Sequence, residues 1–477
     1  MSDSQSSSKV TRRGFLRSQA ALAAIAATPI GAAASALAPT ATVETGENYY
    51  EKLGVSAFIN AAGTKTVLTA ACMPQSVKAA VAEAANHWVR LEDLQHKAGE
   101  YLAKRLKNEG CCITSGATAA IALATAACVQ AANNCKPTDI PQFIGTSEFP
   151  KNEVIVQQRH YEYDVAMYLA GAKLIKVTSL DEYKEAFGPK TVMAHYVDAA
   201  VPANSSEEQK FNVDDTIFSA GISREDWIAV AHDHGVPCNL DAAADCPPIE
   251  RLWNYTQMGF DTVCFSGGKC IEGPQNAGLL LGKKKYTDLA HANNNPGEGI
   301  GRAMKVAKEQ LVGMVAAVDW LLSQGDEGLD KMCRDRIAVI AGMVNDIPSV
   351  KTRILAGPFS NHVPHLIIDF DPAVIGASPH ELMMRLATGT PAIEINPQSG
   401  ATQANQDLPP MPNALVIYVY LLRPGDDAIV ARQIRNVFKN PKSVGAWDPS
   451  APGRTQLQHA EFNHPRRLST PASASEI

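Results

Sequence analysis

From about residue 59 onward, short apolar runs alternate with longer stretches of helical periodicity. The strand-like runs are 153–157 (EVIVQ), 173–178 (KLIKVT), 191–197 (TVMAHYV), 236–240 (VPCNL), 261–265 (DTVCF) and 278–282 (GLLLG). Helical patterns cover 75–107, 117–132, 224–234 and 302–323, the last stopped by Gly325. Short apolar strands separated by helices build a mostly parallel sheet covered by helices. The alternation therefore predicts an α/β large domain over 59–329. Past 330 the order changes, with runs at 364–371, 391–395 and 413–422 and helical patterns at 331–345, 378–386 and 426–438. This predicts a smaller α+β domain over 330–440. Residues 37–58 read as an N-terminal arm. Residues 441–477, rich in Pro, Ser and His, read as an extended tail.

The first 40 residues stand apart from this pattern. A polar start leads to Arg12-Arg13, Phe15-Leu16 and Arg17, then to an alanine-rich apolar run over 20–34 and a small-x-small site at Ala34-Ser35-Ala36. This is the anatomy of a signal peptide over 1–36, and the paired arginines make it the twin-arginine type. The expectation is export through the twin-arginine machinery to the periplasm or another extracytoplasmic space. The apolar run is too short to span a bilayer, and no spanning run follows it.

Charge narrows the partners. The chain carries 43 basic and 49 acidic residues, a net charge of −6. Four of the basic residues and one acidic residue lie in 1–36, so the mature chain carries −9. Nucleic acid binding normally needs a basic face, and this balance argues against it. The 10 cysteines all lie beyond the signal, mostly in apolar runs, with no metal-type CxxC pair. They read as buried free thiols, and no metal site is expected.

Residues 265–278 read FSGGKCIEGPQNAG. A lysine among glycines is a phosphate contact or a reactive amine. A P-loop would need glycine five residues before the Gly-Lys pair and Ser or Thr after it. Val263 and Cys270 stand there instead, so that motif fails. Pyridoxal phosphate needs an amine, an acid facing its ring nitrogen, a phosphate cradle and a group stacked on the ring. Lys269 can be the amine, and the glycines would let the chain pass close to the cofactor. Asp241, in CNLDAAADCP, ends a strand before three alanines and can keep the ring nitrogen protonated. In ITSGATAAI, Ser115 and Gly116 precede an alanine-rich helix whose first N–H groups can bind phosphate. Ser266 is a second phosphate candidate, and His160, in QQRHYEYD, can stack on the ring. Each residue alone also fits an ordinary cap, turn or loop. The order Ser115, His160, Asp241, Lys269, each at or just after a strand, is more specific.

At these residues the chain resembles the fold-type I pyridoxal-phosphate enzymes, and within them the branch of bacterial selenocysteine synthase (seryl-tRNA selenium transferase) and D-glucosaminate-6-phosphate ammonia lyase. The resemblance runs from about 59 to about 440. Its carriers are INAAGTKTVL, LEDLQHKAGEYLAKRL, TSGATAAI, RHYEYD, NLDAAAD, FSGGKCIEGPQNAGLLLGKK and IGRAMKVAKEQLVG. It implies that Lys269 forms the Schiff base with pyridoxal 5'-phosphate and that Asp241 faces the pyridine nitrogen. It also implies that Ser115, Gly116, Ala117, Thr118 and Ser266 hold the phosphate and that His160 lies on the ring. It further implies a homodimer or larger homo-oligomer with sites at subunit interfaces. Arg302 and Lys305 would then reach a neighbour's site, or simply be charges on an interface helix. Arg423, in LLRPGDD, would bind a substrate carboxylate with its guanidinium fork, or be a surface turn arginine.

The expected function is an exported lyase or transferase acting at the α- and β-carbons of a small amino acid or amino sugar acid, by elimination or β-replacement. A tRNA-dependent selenium transferase, a racemase, aldolase or aminotransferase, and a non-catalytic binding protein of the same fold are the alternatives.

Overall fold

The computed structural model describes residues 47–158, 162–197, 222–356, 361–402, 408 and 410–442. Residues 47–55 belong to a separate unit holding one short helix, Tyr49–Lys52, and the remainder belongs to a second unit. The signal peptide, the tail beyond residue 442 and His160 lie outside the described residues. Among the described residues no helix is long and apolar enough to cross a membrane.

Twelve strands are described in chain order: β1 (Phe58–Ala61), β2 (Gly110–Thr114), β3 (Glu153–Gln157), β4 (Lys173–Val177), β5 (Thr191–Val197), β6 (Cys238–Asp241), β7 (Thr262–Ser266), β8 (Gly278–Gly282), β9 (Lys351–Ala356), β10 (Pro364–Asp369), β11 (Ala392–Ile395) and β12 (Ala414–Tyr418). The main sheet has the order β2-β8-β7-β6-β5-β3-β4. β8 is antiparallel to both β2 and β7, and the pairs from β7 through β4 are parallel. The sheet is thus mostly parallel, with one reversed strand. Strands β2, β5, β6 and β8 are buried at every position. Strands buried on both faces read as continuous apolar runs in sequence.

The helix Ala117–Asn133 covers one face of this sheet. Its residues from Ala119 to Val129 are all buried. Alanine leaves little side chain between helix and sheet, so the helix sits close above the strands. The helix Lys308–Val344 buries Leu311, Met314, Val318 and Leu321 at helical spacing. Gly325, with φ +68°, breaks it into two segments. The expected stop at Gly325 is therefore a kink between two helical pieces.

Two predicted helices have different bounds. The pattern over 75–107 is two helices, Gln75–Ala85 and Leu91–Arg105, because Asn86 closes the first and Arg90 is extended. The pattern over 302–323 begins only at Lys308. Residues before it are turns, held by Arg302 donating to the Pro296 carbonyl and by the bridge Asn294–Gly301.

The C-terminal part holds an antiparallel sheet, β12-β10-β9, and a two-stranded parallel sheet, β1-β11. The helices Pro379–Thr388 and Asp426–Lys439 accompany them. Ser378 and Glu381 form a reciprocal cap on the first of these. This is the expected α+β architecture, with one strand, β1, drawn from the N-terminal end of the chain.

Candidate active site

The sheet brings the predicted residues to one edge. β2, β6 and β7 run in the same direction, so the segments after Thr114, Asp241 and Ser266 emerge together. Ser266 pairs with Gly278, and Gly278 pairs with Thr114, so three strands share one row. Asp241 pairs with Cys264, two residues below that row. Ligands in open α/β sheets sit at this carboxyl edge.

Gly116, with φ +92°, precedes the helix Ala117–Asn133, and no side chain caps its first turn. A side chain at Gly116 would meet no atom within 4 Å, so the approach to the helix start is open. Residues 115–118 are half-buried, between the buried strand β2 and the buried body of the helix. Beneath them passes Gly278, where a Cβ would lie 2.6 Å from the Gly116 carbonyl carbon and 2.9 Å from the Ala117 nitrogen. Only glycine lets β8 run under this cradle. An uncapped helix N-terminus with room before it suits a phosphate.

Asp241 is 4% exposed at the end of β6. One carboxylate oxygen accepts from the Ala243 N–H at 3.0 Å, which fixes the side chain where the chain turns. Burial, and secondarily the Asp241 charge, pushes the Cys264 thiol well above its usual pKa, so that thiol is a neutral neighbour. The second acid of NLDAAAD is a structural group: Asp245 is 2% exposed and accepts from the Tyr255 hydroxyl at 3.0 Å.

Lys269 is half-buried in the loop after β7. The Gly267 N–H donates to the Ala277 carbonyl at 2.8 Å, and the Gly273 N–H to the Gly267 carbonyl at 2.7 Å. A Cβ at Gly268 would lie 2.5 Å from the Gln275 Cα. The glycines before the lysine are therefore required by the loop crossing over itself, which adds a reason to the one expected from the cofactor. The INAAGTKTVL segment leans on the same loop. The Ala71 N–H donates to the Gly268 carbonyl at 3.1 Å, and the Gln275 amide to the Thr66 carbonyl at 3.3 Å.

Glu272, three residues past the lysine, adopts φ +56°. Burial pushes its carboxyl up to about 8, against the opposing charges of Arg336 and Lys78. Tyr418 and Tyr420 contact Cys270 from the C-terminal part. None of these three was predicted from sequence. The Y-V-Y alternation after β12 was a usable signal, because residues two apart share a strand face.

Arg423 pairs with Asp426, its Nε 3.1 Å from a carboxylate oxygen, and that partner raises the guanidinium above its ordinary pKa. Arg302 and Lys305 are exposed and lie in the turns before the long helix, not on a helix face. All ten cysteines are unbridged, and only Cys72 is exposed. Among the described residues, His232, Cys238 and Asp261 are close enough to share a metal. The Asp261 carboxylate already accepts from the Cys238 N–H at 2.7 Å and pairs with Lys283 at 2.7 Å and His232 at 2.9 Å. This is a complete ionic network at the opposite sheet edge. A cavity of about 350 Å³, walled by Pro247, Asp326, His362 and Tyr420 among others, includes neither Lys269 nor Asp241.

No protein-family model matches the chain. It is 27% identical over 350 residues to 5'-C-glycyluridine monooxygenase-decarboxylase of a Streptomyces species, covering 72% of this chain and 83% of that one. It is 29% identical over 282 residues to D-glucosaminate-6-phosphate ammonia lyase of Salmonella typhimurium, covering 57% and 69%. It is 26% identical over 157 residues to L-seryl-tRNA(Sec) selenium transferase of Caldanaerobacter subterraneus, covering 29% and 33%. The solved structure of a D-glucosaminate-6-phosphate ammonia lyase superposes with a TM-score of 0.65 at 24% identity, covering 83% of this chain and 99% of that one. That likeness shows the fold.

Proposed function

We propose that the chain is a pyridoxal-phosphate-dependent enzyme of fold type I, similar to D-glucosaminate-6-phosphate ammonia lyase and seryl-tRNA selenium transferase, and that Lys269 carries the cofactor. The substrate is a small amino acid or amino sugar acid, transformed at its α- and β-carbons. The observation that carries this reading is the meeting of Lys269, Asp241 and the open, uncapped helix start at Gly116 on one sheet edge.

The bound cofactor supplies an electron sink for charge developing at the substrate α-carbon. Asp241 would face the ring nitrogen and keep it protonated, since an opposite charge favours the charged form. The N–H groups after Gly116, with the Ser115, Thr118 and Ser266 hydroxyls, would hold the phosphate. The Lys269 amine would also be the base that takes a proton from the substrate α-carbon and returns it. Loss of the β-substituent gives elimination, and entry of a new nucleophile there gives β-replacement. Two relatives' names, 5'-C-glycyluridine and D-glucosaminate, join an amino acid to a sugar-derived chain. This supports an amino acid with a hydroxylated side chain. A second reading is oxygen-dependent decarboxylation at the same α-carbon. It draws on the monooxygenase-decarboxylase, which aligns over 350 residues against 282 for the lyase.

The test is an absorption spectrum of the purified protein with added cofactor, beside Lys269→Ala. A near-visible band in the wild type that borohydride abolishes, leaving the cofactor on the Lys269 peptide, supports the reading. Absence of that band overturns it. A screen of amino acids for released ammonia, keto acid, carbon dioxide or consumed oxygen then separates the two chemistries. Export rests on residues 1–36, and Arg12→Lys with Arg13→Lys is expected to trap the protein in the cytoplasm on fractionation. Assembly into a homodimer or larger homo-oligomer is part of the same proposal.

A further inference from the structure

We infer that Tyr420 and Tyr418 are positioning residues for Lys269, acting through the neighbouring residue Cys270. The inference rests on Lys269 being the cofactor-carrying lysine.

Cys270 is 1% exposed and is held by its carbonyl oxygen and its sulfur. The Tyr420 hydroxyl donates to its carbonyl oxygen at 2.8 Å. Its Sγ lies 3.1 Å from the Tyr418 hydroxyl, and either group can donate. Both tyrosines are nearly fully buried, at 1% and 4% exposure. Burial raises both phenols well above their usual pKa, so they stay protonated and able to donate. Burial likewise pushes the Cys270 thiol up to about 12, so it is a neutral partner and not a nucleophile.

The grip comes from a firmly fixed backbone. Tyr418 ends β12 opposite His365 of β10, and their rings meet edge to face at 4.9 Å. Arg336 donates to the carbonyls of Tyr420 at 2.7 Å and Val419 at 3.1 Å, which anchors the chain just past the strand. The peptide immediately after the lysine is thus tied to the C-terminal sheet and to the long helix. A buried carbonyl that loses its donor is costly, so the loop has one favoured position relative to that sheet. Movement of the C-terminal part is therefore transmitted to Lys269 through these two hydroxyls.

The experiment uses the full chain with Tyr420→Phe, Tyr418→Phe, Cys270→Ala and Cys270→Ser. In the cofactor-free protein, Tyr420→Phe is expected to speed amide exchange of the 266–277 peptide about tenfold, with exchange elsewhere in the large domain unchanged. With pyridoxal phosphate added, the visible circular dichroism of the cofactor band is expected to weaken in Tyr420→Phe. Cys270→Ala is expected to weaken it too, and Cys270→Ser, which keeps a partner for Tyr418, to restore it. Unchanged exchange in Tyr420→Phe, or identical spectra for Cys270→Ala and Cys270→Ser, overturns the inference. Should Tyr420→Phe fail to fold, Tyr418→Phe and the Cys270 pair carry the same comparison. A wild type with no cofactor band, but with the expected change in exchange, sinks the cofactor reading and leaves the tether standing.

Discussion

Replacing Glu272 with Gln is expected to stabilise the protein increasingly as pH rises. Glu272 sits in the lysine loop in a left-handed conformation, partly buried, with its carboxyl pushed up to about 8 from an ordinary 4.5. The folded state therefore binds a proton that the unfolded chain has released, throughout the window from about pH 4.5 to about pH 8. Stability from this group is fully present below the lower value and is lost as pH rises through the upper one. Across that window each pH unit removes about 1.4 kcal/mol. The full loss is then about 5 kcal/mol, of which about 2 has gone by pH 6, leaving about 3 kcal/mol to be lost between pH 6 and pH 9. Gln has the shape of the protonated acid and no charge to desolvate. Urea unfolding of the cofactor-free protein, at matched protein concentration, measures the difference between variant and wild type at each pH. The gap is expected to widen by about 2–3 kcal/mol between pH 6 and pH 9. A gap that stays constant would show that Arg336 and Lys78 keep the carboxylate charged, and the burial argument would be wrong.

Gly278→Ala drives a Cβ into the Gly116–Ala117 backbone and is expected to cost about 1–3 kcal/mol. Its cofactor affinity, measured by titration of the absorption band, is expected to fall with it. Asp241→Asn removes the charge proposed to face the ring nitrogen while keeping the Ala243 contact. The cofactor is expected to remain bound, with turnover reduced on the order of a hundredfold or more in a steady-state assay. Asp261→Asn leaves Lys283 and His232 without their buried acid at the far edge of the sheet. A loss of about 1–3 kcal/mol in chemical denaturation is expected, because the two cations left behind are half-exposed, with the cofactor spectrum unchanged.

The central strands were legible because burial on both faces leaves uninterrupted apolar runs. EVIVQ, TVMAHYV and GLLLG coincide with β3, β5 and β8. β9 was not legible, because it lies at a sheet edge with a largely exposed, weakly alternating sequence. The reversal of β8 was equally hidden, since direction is set by tertiary packing and not by composition. The break in 75–107 depended on Asn86 and an extended Arg90, a local signal weaker than the flanking periodicity. In the site, Lys269, Asp241 and Ser115 could be read from strand-end motifs. The contacts of Cys270 with Tyr418 and Tyr420 span about 150 residues of sequence, and no local pattern encodes such a pairing.

The pairing of β1 with β11 joins Phe58–Ala61 to Ala392–Ile395 in parallel register. During synthesis, the strand that leads directly into the INAAGTKTVL segment emerges early and finds its partner only when the chain is nearly complete. Contacts between distant segments form late, because the intervening loop must first be ordered. The lysine loop leans on that same segment, so a polypeptide truncated before residue 392 lacks this brace for the loop that carries Lys269. The two-stranded sheet thereby makes a finished chain a condition for a finished site, a checkpoint on completeness written into the topology.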